Sequence, residues 1–187
     1  TMGEDMELCV KLHVFCRENA RPYRIRYAAD AVCWTQVPER FGDLCKQRRR
    51  WHIGLFQSMM KHRRILGNPK YGAVGFVSYV YFLIYELFSP YIEIFGVLTM
   101  LLAFAVDLIN VPFMLLFFGI YVAYTAILSL TAFFARVHTV DLSLSLRDVL
   151  QALALCAFEV SCLRFVLAWV RMMALVGYRR KKNTWGQ

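Results

Sequence analysis

Acidic residues are the scarce class in this sequence of 187 residues: Asp and Glu number 13 against 22 Lys and Arg, a formal net charge of +9. Paired cysteines are lacking too. Cys9, Cys16, Cys33, Cys45, Cys156 and Cys162 form no CxxC pair and no Cys/His spacing of the zinc type, which argues against a disulfide framework or zinc module and reads as reduced, packing thiols. His52, His62 and His138 have no acids or cysteines at ligand spacing and are expected at the surface or the membrane interface. No internal repeat or low-complexity tract occurs, so a solenoid is excluded. The opening Thr1-Met2-Gly3-Glu4-Asp5 has neither a basic n-region nor an apolar h-region, so it is not a signal peptide. A first residue that is Thr, followed by acids, reads as an internal cut, and a fragment is the expectation.

What is abundant is apolar sequence. Hydrophobic residues make up 59% of the chain, against about 45–50% in soluble domains. The apolar runs follow Tyr71, and most of the charge precedes it. A break near Asn68 and Pro69 therefore divides a polar region, 1–70, from a helical membrane region, 71–187. The basic excess gathers at 40–70 (Lys46, Arg48, Arg49, Arg50, Lys61, Arg63, Arg64) and at 179–182. Basic residues hard against membrane segments mark the cytoplasmic side and attract anionic lipid, which argues against nucleic acid as the partner.

Along the first third, Met6, Val10 and Val14 with Leu8, Leu12 and Phe15 recur at helical spacing from Glu4 to about Asn19. Acids in its first turn suit the positive end of the helix dipole. The alternation at 23–28 and the extended run at 31–35 predict strand, closed by Pro38. A second helix is expected from Glu39 to about Arg64. A helix, a strand and a helix make no core alone, so this third is expected to need partners that are missing from this sequence.

Residues 111–134 carry no charge and reach about 36 Å as a helix, enough for a bilayer core of about 30 Å. The run 71–106 is interrupted by Glu86, Ser89-Pro90 and Glu93. A single kinked helix is the expectation, with two short membrane-dipping pieces as the alternative. Residues 146–178 carry Glu159, Arg164 and Arg171 and suit either a span or an interfacial element. With both basic clusters inside, crossings must be even, so 71–106 is read as going out, 111–134 as returning, and 146–178 as an interfacial or re-entrant element whose tail stays inside. Glu86 and Glu93 are costly in apolar sequence unless they face protein, water or a cation, and three readings stay open: they line a polymer path, pair with Arg164 or Arg171, or sit at headgroup depth around a kink at Pro90.

Two short runs carry the chemistry: Gly3-Glu4-Asp5 opening a helix, and Gln47-Arg48-Arg49-Arg50-Trp51 just ahead of the membrane region. Together they resemble the acidic and QxxRW motifs of membrane-bound processive family 2 glycosyltransferases, the group of cellulose, chitin, hyaluronan and poly-N-acetylglucosamine synthases. Asp30, Val32 to Thr35 and Val37 to Glu39 resemble that family's connection between the motifs, and Lys181-Lys182 with Trp185-Gly186 resembles a C-terminal signature of its bacterial members. The resemblance implies a mainly α membrane protein, in which 1–70 is the C-terminal remnant of a GT-A type α/β catalytic domain followed by transmembrane and interfacial helices.

It further implies an inverting enzyme that transfers a hexosyl or N-acetylhexosaminyl unit from a nucleotide diphosphate sugar to a growing glycan. In that reading Asp5, with Glu4 beside it, is the general base; Trp51 faces the acceptor sugar; and Gln47 and Arg50 lie near the diphosphate. Base, aromatic face and cations are what the reaction requires. Gln47, Arg50 and Trp51 share one helix face, with Arg48 and Arg49 expected to point elsewhere. The implied location is the cell membrane, multi-pass, with the catalytic part cytoplasmic, and the implied partners are lipids and a secretion partner for the product. The family's divalent metal, Mg or Mn, is held by a DxD run, and no DxD or Gly-rich phosphate loop occurs here. The chain by itself is therefore expected to be inactive. Two other readings stay open: a non-processive glycolipid synthase, and a helical membrane or channel protein in which Asp5 belongs to an ordinary acidic first turn and the basic helix with Trp51 only anchors to lipid.

Overall fold

Helix α1 (Glu4–Glu18) carries three acids, Glu4, Asp5 and Glu7, in its first turn, at the positive end of its dipole. It stops at Asn19, whose side-chain amide donates to the Phe15 carbonyl at 2.8 Å. Helix α2 (Phe41–Lys61) opens with Asp43 in its first turn and closes on Lys61. Short 3₁₀ turns follow at Arg63–Ile65 and Pro69–Tyr71. The apolar part comprises α3 (Val74–Leu87), α4 (Ser89–Ala105), α5 (Val111–Thr139) and α6 (Leu146–Ala174). This computed structural model describes residues 2–26, 28, 31, 33, 35–139, 145–176 and 178, without the side chains of 136–139. Asp30, Val32, Trp34, the His138 side chain, the basic residues 179–182, Trp185 and Gly186 lie outside the described residues.

Two compact units emerge, one of 1–92 with 169–187, the other of 93–168. In the first, Leu55 and Met59 of α2 join Ile65, Tyr71, Tyr79 and Leu87 in a buried cluster, with Met6, Val10 and Val14 of α1 packed against it. Each such side chain contributes about 1.5–3 kcal/mol when fully buried. The polar ends are partnered: the Tyr79 hydroxyl donates to the Met59 carbonyl at 2.7 Å, and that of Tyr71 to Glu18 at 3.0 Å. Within this chain the first third packs against α3 and against Leu175 just beyond α6.

The strand expected at 23–28 and 31–35 is corrected: no strand occurs among the described residues. Alternation sets two faces, but an isolated strand leaves its backbone groups unpaired unless a neighbouring strand takes them. Side chains hold this segment instead. The Tyr23 hydroxyl shares a 2.6 Å hydrogen bond with Nδ1 of His13, and the Arg17 guanidinium stands 5.8 Å over its ring.

Among the described residues two helices, Val111–Ala135 and Leu146–Ala174, are long and apolar enough to cross a membrane, and α3 with α4, bent by 45°, makes a third if the pair is one broken span. The bend falls where Pro90, buried, removes a backbone donor near the start of α4. In the second unit α5 packs along α6. There Arg164 donates from Nε and Nη2 to one oxygen of Glu93, at 3.3 and 2.9 Å, so a charge in apolar sequence is paired.

Candidate functional site

The site is built by a close crossing of backbones. Gly54, one turn after Trp51 on α2, lies against Gly3 so tightly that a Cβ at 54 would stand 2.6 Å from the Gly3 nitrogen and 2.9 Å from the Met2 carbonyl carbon. Around this contact the Met2 N–H donates to Oε1 of Gln57 at 2.9 Å. The buried carboxylate of Glu7 pairs with Lys61 and, at 3.1 Å, with Lys11. The start of α1 is thus clamped onto the middle of α2, and its first turn is carried to the Trp51 face.

Between them lies a cavity of about 390 Å³, within the range of small-molecule sites. Gly3, Glu4, Asp5 and Met6 form one wall. Arg48, Arg50, Trp51, His52 and Leu55 of α2 form another, and Phe82 and Glu86 of α3 with Arg171 of α6 complete it. Phe82 and Glu86 stand four apart on a widened π-type turn, Phe82–Leu87, a feature concentrated at functional sites. Arg171 donates to the Glu86 carbonyl at 2.6 Å and sits 3.8 Å from its carboxylate, so Glu86, like Glu93, faces the kind of cation its apolar setting requires.

Of the residues named from sequence, Glu4, Asp5, Arg50 and Trp51 come together in this cavity. Gln47 does not; it is half-buried on α2 and absent from the lining. Arg48 is a correction. Expected to point elsewhere, it stands three residues before Trp51, a spacing that puts side chains on one helix face, and its guanidinium lies 5.0 Å over the indole. Cation and ring attract there, while Trp51 keeps 48% of its surface exposed.

His52 is a second correction. It is not at the surface but 2% exposed on the cavity wall, with neither ring nitrogen hydrogen-bonded among the described residues. Burial, with the nearby positive Arg171, pushes its pKa down to about 4, so the ring is neutral at physiological pH. Phe82, Glu86 and Arg171 were not assigned to the site from sequence, because the contacts that bring them there join segments remote along the chain. The signal for Arg48 was available in its spacing to Trp51.

Chemically the cavity offers a carboxylate pair at a helix N-terminus, a flat aromatic face and three guanidinium groups. Among the described residues no three His, Cys, Asp or Glu side chains are grouped so as to hold a metal ion. These residues do not fit the divalent metal that the resemblance implies, and no step below is routed through one.

Residues 1–178 match the family model described as Glycosyl transferase family group 2. Over 58 residues the chain is 41% identical to the poly-beta-1,6-N-acetyl-D-glucosamine synthase of Staphylococcus aureus (strain COL) and 40% identical to that of Staphylococcus epidermidis (strain ATCC 35984). In both cases the match covers 31% of this chain and 13% of the synthase's length. No solved structure matches.

Proposed function

Because the chain belongs to glycosyl transferase family group 2, we propose that its cavity is the acceptor side of a membrane polysaccharide synthase that transfers N-acetylhexosamine from a nucleotide diphosphate sugar, with inversion and processively. The observation that carries this reading is that Asp5 and Trp51, remote in sequence, line one small-molecule-sized cavity. Similarity to synthases of an N-acetylglucosamine polymer supports the sugar class.

In this reading the acceptor's terminal sugar stacks on the open face of Trp51, an apolar surface that leaves the hydroxyls to polar neighbours. Asp5 accepts the proton of the attacking hydroxyl as its oxygen bonds to the anomeric carbon and the bond to the diphosphate breaks. Glu4 adds negative charge beside it. Arg50 and Arg48 offset the charge growing on the diphosphate. Gln47, outside the cavity, has its role only by resemblance.

The donor site and its metal belong, in this proposal, to another part of the enzyme, so that residues 1–70 complete a catalytic domain and 71–187 carry the product through the membrane. The chain alone is then inactive. The catalytic part faces the cytoplasm of the cell membrane, where Arg63 and Arg64 meet anionic lipid, and a secretion partner receives the polymer.

The test is incorporation of radiolabelled UDP-N-acetylglucosamine by membranes holding the enzyme with its donor-binding region. Asp5→Asn and Trp51→Ala should each cut incorporation at least 100-fold, an expected loss on the order of that for removing a general base. Full activity in both discards the assignment. Product length separates a polymer from a single-sugar glycolipid.

A further inference from the structure

One polar group on the cavity wall has no part in the transfer chemistry. We infer that His52 is a binding residue for the acceptor glycan, its ring hydrogen-bonding a hydroxyl or acetamido group of the sugar stacked on Trp51. This rests on the reading of the cavity as the acceptor side.

Three observations carry it. His52 is 2% exposed, flanked by buried Ile53, Gly54 and Leu55, in surroundings that favour an apolar side chain. Both Nδ1 and Nε2 lack a hydrogen-bond partner among the described residues, and a buried polar group left unmade is destabilising, so each such case requires an explanation. Finally, His52 is one of the residues that line the cavity, beside Trp51, and a small rotation of its ring turns a nitrogen, enclosed in this structure, toward a ligand there.

The ring's protonation state defines the ligand. Kept neutral by burial and by Arg171, imidazole presents one N–H donor and one lone-pair acceptor. A sugar hydroxyl offers both complements, and so does an acetamido group, with its N–H and C=O. A diphosphate offers acceptors only, and the cavity's Arg48, Arg50 and Arg171 already supply donors suited to it. His52 therefore contributes recognition of a neutral, mixed donor and acceptor surface, the character of the glycan and not of the leaving group.

Steady-state kinetics of the membrane-embedded enzyme test this, with UDP-N-acetylglucosamine saturating and a β-1,6-linked N-acetylglucosamine oligosaccharide as the varied acceptor. His52→Phe should raise the acceptor KM about tenfold, the value of one hydrogen bond, and leave the donor KM within twofold. Its thermal midpoint should hold or rise, because an apolar ring replaces unpaired polar atoms. His52→Gln, which keeps a donor and an acceptor, should recover the acceptor KM to within about threefold of the parent.

An unchanged acceptor KM in folded His52→Phe overturns the inference and leaves the ring with a water partner. Donor and acceptor KM rising together also overturns it, as a positional effect. If His52→Phe does not accumulate, a folded His52→Gln with the acceptor KM raised tenfold is equally decisive against it. Loss of activity in Asp5→Asn and Trp51→Ala alongside a normal KM in His52→Phe sinks this inference alone, whereas full activity in the first two sinks the acceptor-side reading beneath it.

Discussion

Gly54→Ala puts the geometry of the site under direct strain. The new methyl would stand 2.6 Å from the Gly3 nitrogen, and ordinary contact begins at 3.4 Å, so the start of α1 must retreat by about 0.8 Å from α2. Two energies oppose each other. Alanine within a helix is favoured over glycine by about 0.8–1 kcal/mol, while overpacking against backbone costs about 1–3 kcal/mol. Net stability should therefore fall by no more than about 2 kcal/mol, a shift of a few degrees in the thermal midpoint.

Activity should suffer more, because Asp5 rides on the segment that moves. A misplacement on the order of 1 Å can cost about 100-fold in rate. The prediction is a 10- to 100-fold loss of sugar incorporation in a variant that remains folded. Gly3→Ala is the matched control: a methyl there meets Gly54 at 3.5 Å, an ordinary contact, and should leave activity within about twofold. Incorporation and the thermal midpoint are measured on the same membrane preparation. Gly54→Ala with normal activity, or Gly3→Ala as damaging as Gly54→Ala, refutes the claim that this crossing positions the carboxylate.

Glu7→Gln should destabilise the protein by about 1–2 kcal/mol, measured by thermal unfolding: its carboxylate is buried, but Lys61 and Lys11 are half exposed and their attraction is screened. Glu93→Gln and Arg164→Gln, combined in a double-mutant cycle, should show a coupling of about 0.5–3 kcal/mol, and strict additivity would dissolve the pair. The His52 ring, about 4 when folded against 6.5 in the free residue, binds its proton more readily in the unfolded chain. Stability should accordingly drop by up to roughly 3 kcal/mol as pH falls from 6.5 toward 4. His52→Phe should flatten that slope, and an unaltered slope refutes burial of the neutral ring.

The helices were legible because their signals are local. The acids of the first turn, the spacing of Met6, Val10 and Val14, and the charge-free run at 111–134 each sit within one element. Glu86 and Glu93 were legible as charges needing partners, since apolar surroundings penalise an unpaired carboxylate, and Arg171 and Arg164 supply them. The extended segment after Arg21 was misread because alternation records exposure, whereas a strand exists only beside another strand. Arg48 was misplaced by following Gln47, Arg50 and Trp51 alone. His52 was beyond sequence reasoning: its burial depends on α1 pressing onto α2 at Gly54, a contact that periodicity along one helix does not encode.

That contact also explains how the cavity brings opposite charges together without merging them. Asp5 and Glu4 enter on α1, while Arg48 and Arg50 belong to α2, and each set is tied down elsewhere. Glu7 and Lys61 hold the two helices together beyond the cavity, and Arg48 leans on Trp51. Arg171 is drawn to the Glu86 carbonyl. A guanidinium collapsed onto Asp5 would neutralise the base that the reaction needs, and no such ion pair involves Asp5 among the described residues. Transfer to a sugar hydroxyl requires a proton acceptor and an anion-stabilising surface separated by the width of the reacting groups. A crossing fixed at two glycines, which sets the acids on the α1 wall and Arg48 and Arg50 on the α2 wall, meets that requirement through backbone geometry, which is why the Gly54 methyl, and not the loss of any single charge, is the most stringent probe of the site.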